Sequence, residues 1–375
     1  MSDTNIKKIG IDARLWQETG IGRYIRNLVL NLGEFDKVNT YVFFAKRADF
    51  EDIKLSARNL KFEIIECEIP WHSVREQLEF PRLLNKYQLD LMHFPYFSVP
   101  AFYNKPFVVT VHDLIMNHFP TGRATTLPLP FYLAKKFGYS VIIKNAILKS
   151  KKIITPSTAT KQEILDHYTV ASEKIAVTPE GIDHNIINFK PTIFKDKHPY
   201  FLYVGNAYPH KNVEKLIEAF LIFSEKHPEY VLRLAGKTDF FYKRLITQIK
   251  SPKIEFLGYV SDSDLAKLYT YSKATCVPSR MEGFGLTVLE AMSMGSLVIC
   301  SEIPSLKEIA GENAIFFNPQ DVLSIAGAME QVTSMTLKER DLVISSSKKH
   351  IQKYSWKNLA KETIDVYNSC LTAKN

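Results

Sequence analysis

The sequence predicts an α/β protein made of two doubly wound domains, and three observations carry that prediction. Strand-like apolar runs alternate with helix-period patterns along almost the whole chain, which argues for βαβ units and parallel sheets. A buried-strand pattern, a glycine turn and a helix pattern open the chain at residues 8–32 and recur at residues 201–223. The length of 375 residues exceeds what one ordinary core needs and suits two.

Composition narrows the class. A hydrophobic content of 46% with 12% aromatic residues is that of a packed globular protein. The net charge of +8 points to a polyanionic partner: nucleic acid, an anionic membrane surface or a phosphorylated substrate. With no arginine-rich arm and no zinc-type spacing, nucleic acid is set aside. Cys67, Cys276, Cys300 and Cys370 are scattered and read as free thiols in a reducing cytoplasm. The polar start, Met1 to Lys8, runs directly into a strand and no apolar run reaches the length of a membrane span. A cytoplasmic protein is therefore expected, soluble or peripheral at the inner face of the membrane.

In the first half, Lys8–Ala13 reads as a buried strand, followed by Glu18-Thr19-Gly20-Ile21-Gly22-Arg23-Tyr24 and a helix with Ile25, Leu28, Val29 and Leu32 on its apolar face. That glycine loop is shorter than a dinucleotide fingerprint and disfavours a nicotinamide cofactor. It closes over a ligand or is a tight turn made for packing. Further strands are expected at Tyr41–Phe44, Phe62–Ile69 and Leu89–Phe94, with a helix near Arg75–Tyr87. The run Phe107–Val111 ends in His112-Asp113, at a strand's carboxyl end, where such sheets bind ligands. His112 either faces a ligand or is a core histidine bonded by its neighbour. Between Leu127 and Ile154 lies a long helical pattern rich in lysine and aromatics: Phe131, Tyr132, Lys135, Lys136, Phe137, Tyr139, Lys144, Lys149, Lys151 and Lys152. It is a face for anionic lipid or a core stripe with a solvated edge.

Residues 182–199 carry two prolines and little periodicity and read as an interdomain linker. Beyond it, the strand Phe201–Gly205 leads through Asn206–Asn212 into a helix with Leu216, Ile217, Phe220 and Phe223. Lys211, at that helix's N-terminus, is placed to neutralise a diphosphate. Strands follow at Tyr230–Gly236 and Ile254–Val260. Ser261-Asp262-Ser263-Asp264 contains a D-x-D pattern, a spacing that can hold a divalent ion on a diphosphate, but before a helix it reads as capping, and no metal is expected.

The most informative stretch runs from Arg280 to Met292. A buried-strand pattern, Ala274–Ser279, precedes it, and Gly283-Phe284-Gly285 then opens a helix that Gly295 stops. Two glycines let backbone approach a ligand closely, and the free N–H groups of a helix's first turn attract an anion. Glu282 stands in front of this seat. Glu290 lies one turn inside the helix, and its side chain leans back toward the N-terminus. Two carboxylates bracketing an anion site suit a ligand with hydroxyls on both sides of a phosphate, such as a sugar nucleotide. The alternative is a plain turn with a solvated Glu282 and a locally paired Glu290. A strand at Leu297–Cys300 and helices at Val322–Val332, Leu337–Tyr354 and Trp356–Leu371 complete the chain.

Glu282 and Glu290, with seven residues between them and Gly-Phe-Gly-Leu after the first, resemble the paired-glutamate element of family 4 of the retaining glycosyltransferases with the GT-B fold. The resemblance covers nearly the whole chain. It implies two Rossmann-like domains facing an interdomain cleft: residues 1–185 on the acceptor side, residues 186–354 holding the nucleotide sugar, and residues 355–375 as a helix crossing back to the first domain. It implies a metal-independent retaining transfer with a nucleotide sugar as donor substrate, no further cofactor, and a saccharide or lipid-linked acceptor. By the same resemblance His112 and Glu282 act at the donor sugar. Gly283, Phe284, Gly285, Leu286 and Thr287 with Lys211 hold the diphosphate, Glu290 the ribose, and backbone near Val260 the base. Gly20 and Gly22 close over the donor. The chain departs from the family at one place: the Arg expected shortly after Gly205 is replaced by Asn206 or Ala207, leaving Arg280 as the nearest substitute. The segments around Gly20–Tyr24 and Gly205–Asn212 most resemble GDP-mannose-dependent mannosyltransferases of bacterial surface polysaccharide synthesis. UDP-sugar donors, a GT-B epimerase and a non-catalytic sugar-nucleotide binder remain alternatives.

Overall fold

A computed structural model of the protein describes residues 6–119, 129–182 and 197–372. The chain divides into two compact units, one of Met1–Leu114, Leu127–Glu180 and Ser355–Asn375, the other of Ile115–Thr126 and Gly181–Tyr354. Most of the expected linker and the expected boundary at residue 185 lie outside the described residues.

The first unit is built on a seven-stranded sheet: β1 (Lys8–Asp12), β2 (Thr40–Ala45), β3 (Lys61–Glu66), β4 (Leu91–Phe94), β5 (Phe107–Thr110), β6 (Lys152–Thr155) and β7 (Ile175–Val177). The order is β3-β2-β1-β4-β5-β6-β7, and every pairing is parallel. Parallel sheets are covered by helices on both faces, so their strands are apolar throughout. Accordingly β4 and β5 are buried at every position. The second unit repeats the scheme with β8 (Tyr200–Val204), β9 (Val231–Ala235), β10 (Ile254–Gly258), β11 (Ala274–Val277), β12 (Val298–Ser301) and β13 (Ile315–Phe317), in the order β10-β9-β8-β11-β12-β13. In each sheet the winding reverses once, between β1 and β4 and between β8 and β11. At such a point the connections diverge and leave a crevice at the carboxyl ends of the strands.

The last helix, Trp356–Thr372, belongs to the first unit and packs on the helix Gly20–Phe35, burying Leu359, Ala360, Thr363, Val366 and Tyr367. Tyr367 is also tied to β4, its hydroxyl 2.7 Å from His93 Nδ1. Lys357 pairs with Glu34 at 2.9 Å. The four cysteines are free. No helix among the described residues is long and apolar enough to cross a membrane.

Element boundaries differ from expectation at instructive places. The long helical pattern at 127–154 is a helix at Leu129–Lys149 followed by β6, because Ile153 and Ile154, β-branched and fully buried, are taken by the sheet between β5 and β7. The glycine loop at Glu18–Tyr24 is largely helix, since the helix already begins at Gly20. A Cβ on Gly22 would lie 2.5 Å from the Trp16 carbonyl oxygen and 2.8 Å from that of Leu15, so this glycine is demanded by packing against its own preceding turn. A Cβ on Gly20 meets nothing within 4 Å. Gly22→Ala should therefore lower the thermal midpoint, by an amount equivalent to about 1–3 kcal/mol of overpacking. Gly20→Ala should leave it within the scatter of wild type. Thermal denaturation of both variants checks the pair.

Candidate functional site

In the second unit, the reversal between β8 and β11 brings two loops together. From β8 the chain passes Gly205 and Asn206 into a short 3-10 turn, Pro209–Lys211, and then through Asn212 into the helix Val213–Lys226. From β11 it passes Pro278, Ser279 and Arg280 to Glu282 and the helix Leu286–Ser293. The loops are stitched by Arg280 N–H donating to the His210 carbonyl at 2.7 Å and by the Asn212 side-chain amide donating to the Pro278 carbonyl at 3.1 Å.

This stitching places Lys211 against Glu282. The ammonium donates to both carboxylate oxygens, at 2.7 and 2.9 Å, and the Ser279 hydroxyl donates to the same carboxylate at 2.6 Å. The two side chains are 22% and 14% exposed, so the pair is largely withdrawn from water. Burial pushes the Glu282 carboxyl up, but the charge and hydrogen bond of Lys211, with Ser279, hold it below the ordinary carboxylate range. Sequence reading gave these residues separate ligand-facing roles, and the structure joins them directly. Ser279 was not singled out from the sequence; its only signal was its position at the carboxyl end of a buried strand.

Glycine is required next to this pair. Gly285 sits at φ 128°, a conformation L side chains rarely adopt, and a Cβ there would lie 2.9 Å from Leu306. The Gly285 carbonyl takes the first intrahelical bond, from Val288 N–H at 2.9 Å, so Leu286 and Thr287 occupy the first turn, whose N–H groups have no partner within a helix. Phe284 is buried beneath the turn. Glu290, 4% exposed, accepts from the Tyr269 hydroxyl at 2.8 Å. Tyr269 is a partner the sequence did not reveal.

The remaining expected residues take these places. Asn206 turns its side-chain oxygen to Tyr208 N–H at 3.3 Å. Arg280 is exposed, with its guanidinium carbon 5.7 Å from the Phe119 ring centre. Val260 follows β10 and is half-buried beside the exposed Tyr259. In the D-x-D stretch the Ser261 hydroxyl caps the helix Asp262–Tyr271 by accepting from Asp264 N–H, and Asp264 pairs with Lys267 at 3.0 Å.

His112 lies in the first unit, just past β5. Its ring is edge-on to Tyr24, with centroids 4.9 Å apart. Its nitrogens face Glu180 and the Pro95 carbonyl. Glu180 belongs to the Glu-Gly-Ile-Asp turn visible in the sequence, although no partner for it could be read there.

A wholly parallel sheet whose switch point holds a charged pair beside a glycine-led helix is the architecture in which doubly wound α/β units bind ligands. Residues 185–350 match the family described as glycosyl transferases group 1, and residues 19–186 match glycosyltransferase family 4. The O-antigen chain mannosyltransferase RfbU of Salmonella typhimurium is 30% identical over 69% of this chain and 72% of its own. O-antigen chain mannosyltransferase B of Escherichia coli is 28% identical over 93% of this chain and 96% of its own. Among solved structures, HepE of Anabaena, crystallised with UDP and glucose, superposes with a TM-score of 0.74 at 17% identity, over 97% of this chain and 100% of that one. The chain belongs to the family 4 glycosyltransferases of the GT-B fold and is related to the O-antigen mannosyltransferases.

Removing one partner of a largely buried ion pair leaves the other charge uncompensated. Lys211→Met should destabilise the protein by about 2–3 kcal/mol at neutral pH, and Lys211→Met/Glu282→Gln should recover most of that loss. Because the Glu282 pKa is depressed, its contribution is present above the ordinary carboxylate value of about 4.3 and is lost as pH falls through the depressed value. The single variant's deficit should therefore shrink in acid. Denaturant unfolding at two pH values measures both effects.

Proposed function

We propose that the protein transfers mannose from GDP-mannose, with retention of anomeric configuration and without a metal ion, to a saccharide or lipid-linked saccharide in surface polysaccharide synthesis. The observation that carries this reading is the Lys211–Glu282 pair at the switch point in front of the glycine-led helix. It supplies a cation and free backbone N–H groups for a diphosphate, and a carboxylate for sugar hydroxyls, within one pair of loops.

In the proposed reaction the donor's diphosphate binds at Gly283–Thr287 and takes over part of the Lys211 ammonium from Glu282. Released in part, the Glu282 carboxylate accepts from hydroxyls of the sugar, and Glu290 accepts from the ribose alongside Tyr269. Backbone near Val260 edges the base, and His112 acts at the donor sugar. The acceptor oxygen bonds to the anomeric carbon on the face that the diphosphate leaves, the bond from that carbon to the phosphate oxygen breaks with its electron pair going to the diphosphate, and the acceptor proton passes to the departing phosphate. Lysine and N–H groups offset the growing negative charge, the task a metal performs elsewhere. Asp264 is engaged by Ser261 and Lys267, which favours capping over metal binding for the D-x-D stretch.

Mannose is preferred because two relatives, matched over 69% and 93% of this chain, are named O-antigen chain mannosyltransferases. The UDP and glucose in HepE favour a second reading, a UDP-sugar donor on the same fold. Transfer assays with GDP-mannose and UDP-glucose should show turnover with the former that survives chelation, and product NMR should show the donor's anomeric configuration. Turnover only with UDP-glucose supports the second reading; activity lost to chelator and restored by manganese, or an inverted product, contradicts the mechanism.

A cytoplasmic enzyme serving a lipid-linked acceptor would work at the membrane face. On the helix Leu129–Lys149, Phe137, Val141 and Leu148 are exposed at spacings that put them on one face, with Lys144 between them and Lys136 beside them. Apolar side chains flanked by lysine suit the interface of an anionic bilayer. Co-sedimentation with vesicles containing phosphatidylglycerol should fall severalfold in Lys136→Gln/Lys144→Gln and in Phe137→Ser. Sedimentation unaffected by these changes, or equal on neutral vesicles, would leave the stripe without this role.

A further inference from the structure

The roles assigned above leave the buried carboxylate of Glu180 unused. Glu180, 5% exposed, is the last residue of the first unit before the chain passes to the second. Its Oε1 lies 3.3 Å from Nδ1 of His112, while Nε2 of the same ring lies 2.9 Å from the carbonyl oxygen of Pro95. A carbonyl oxygen and an ionised carboxylate can only accept, and a neutral imidazole has a single N–H to give. Both contacts are hydrogen bonds together only when both ring nitrogens carry hydrogen, which is the imidazolium ion.

The neighbouring histidine makes the contrast. His93, fully buried on β4, is flanked by two hydroxyls, Tyr367 on Nδ1 at 2.7 Å and Thr110 on Nε2 at 2.8 Å. A hydroxyl donates or accepts as needed, so a neutral ring is satisfied there. Tyr24 stands edge-on to both rings and bonds Thr110 at 3.1 Å. Burial, and then the charge of His112, push the His93 pKa down to about 3. For His112, burial acts in the same direction, but the hydrogen bond and charge of Glu180, the Pro95 carbonyl and the charge of Asp113 together raise it above the ordinary histidine value. The pKa values of two histidines around one tyrosine are thus pushed in opposite directions by what faces their nitrogens.

We infer that Glu180 is a positioning residue that, with the Pro95 carbonyl, fixes His112 as an imidazolium, so that His112 serves the transfer as a fixed cation and not as the base that takes the acceptor's proton. The inference rests on the assignment of His112 to the donor sugar made under the proposed function. In the step written there, the acceptor oxygen's new bond to the anomeric carbon and the lost bond to phosphate balance without His112, and the acceptor proton ends on the departing phosphate. The imidazolium neither gains nor loses a proton.

The test uses the full chain with ¹⁵N-labelled histidine, the His112 signals being assigned by their loss in His112→Gln. The wild-type ring should show two protonated nitrogens at pH 7 and titrate above the ordinary value of about 6.5. Because that pKa is raised, the charge is complete below the ordinary value and is lost as pH rises through the raised one, and the transfer rate should fall along its alkaline limb at the same pH. Glu180→Gln keeps an acceptor for Nδ1–H but removes the charge. It should weaken proton affinity by about tenfold or more, carrying the NMR midpoint and the alkaline limb together to lower pH with the loss in kcat rather than in KM. A neutral His112 in the wild type at pH 7, or a midpoint and limb unmoved by Glu180→Gln, overturns the inference. A His112→Gln enzyme that transfers at the wild-type rate overturns instead the assignment of His112 to the donor sugar, and it does so whatever the NMR midpoint.

Discussion

The second unit depends on the reversal of winding between β8 and β11. In a parallel sheet, adjacent strands end at the same edge, and only where the connections diverge do two loops face each other with nothing packed between them. That constraint sets Lys211, carried off β8, against Glu282, carried off β11, although seventy residues of chain separate them. An ion pair withdrawn from water is poor evidence for stability, since desolvation offsets most of the attraction. This pair makes better sense as a charge kept ready for a competing anion. The glycine-led turn beside it follows from the same edge, because a helix starting at the carboxyl end of a strand aims its free N–H groups into the same space.

The first unit solves a related problem with different chemistry. Its polar groups at the carboxyl edge are uncharged or internally neutralised: Arg14 is buried between Asp12 and Glu76 at 2.6 and 2.7 Å. His93 is satisfied by hydroxyls. There the His112 ring meets the carboxylate of Glu180. The helix Trp356–Thr372 reaches this network through Tyr367, so the end of the chain helps to position the residues around His112.

Much of this was legible in the sequence, and the reason is periodicity. Strands buried at every position, such as β5 and β11, and helices with a single apolar face announce themselves because burial dictates most of their residue types. The residues Lys211, Glu282 and Glu290 were legible because glycines and a strand end frame them. Their partners were not. That Lys211 reaches Glu282, Tyr269 reaches Glu290, and Glu180 reaches His112 depends on strand order, and strand order leaves no local mark on the chain. Helix starts were misread where glycine has two meanings: Gly20 and Gly22 look like a ligand loop, yet Gly22 is fixed by contact with the Trp16 carbonyl. Short elements such as β13 escaped because three residues are too few for a period to show.

In the proposed function Lys211 is the diphosphate's cation, and Glu282 competes with the diphosphate for its ammonium. Calorimetric titration of GDP into wild type and Glu282→Gln tests this most directly. Neutralising Glu282 frees the ammonium, so the variant should bind GDP at least as tightly as wild type, with a steeper dependence on salt as the unshielded charge takes a larger share of the binding. Loss of GDP binding in Glu282→Gln would mean that the carboxylate, and not the lysine it holds, anchors the nucleotide, and would contradict the account.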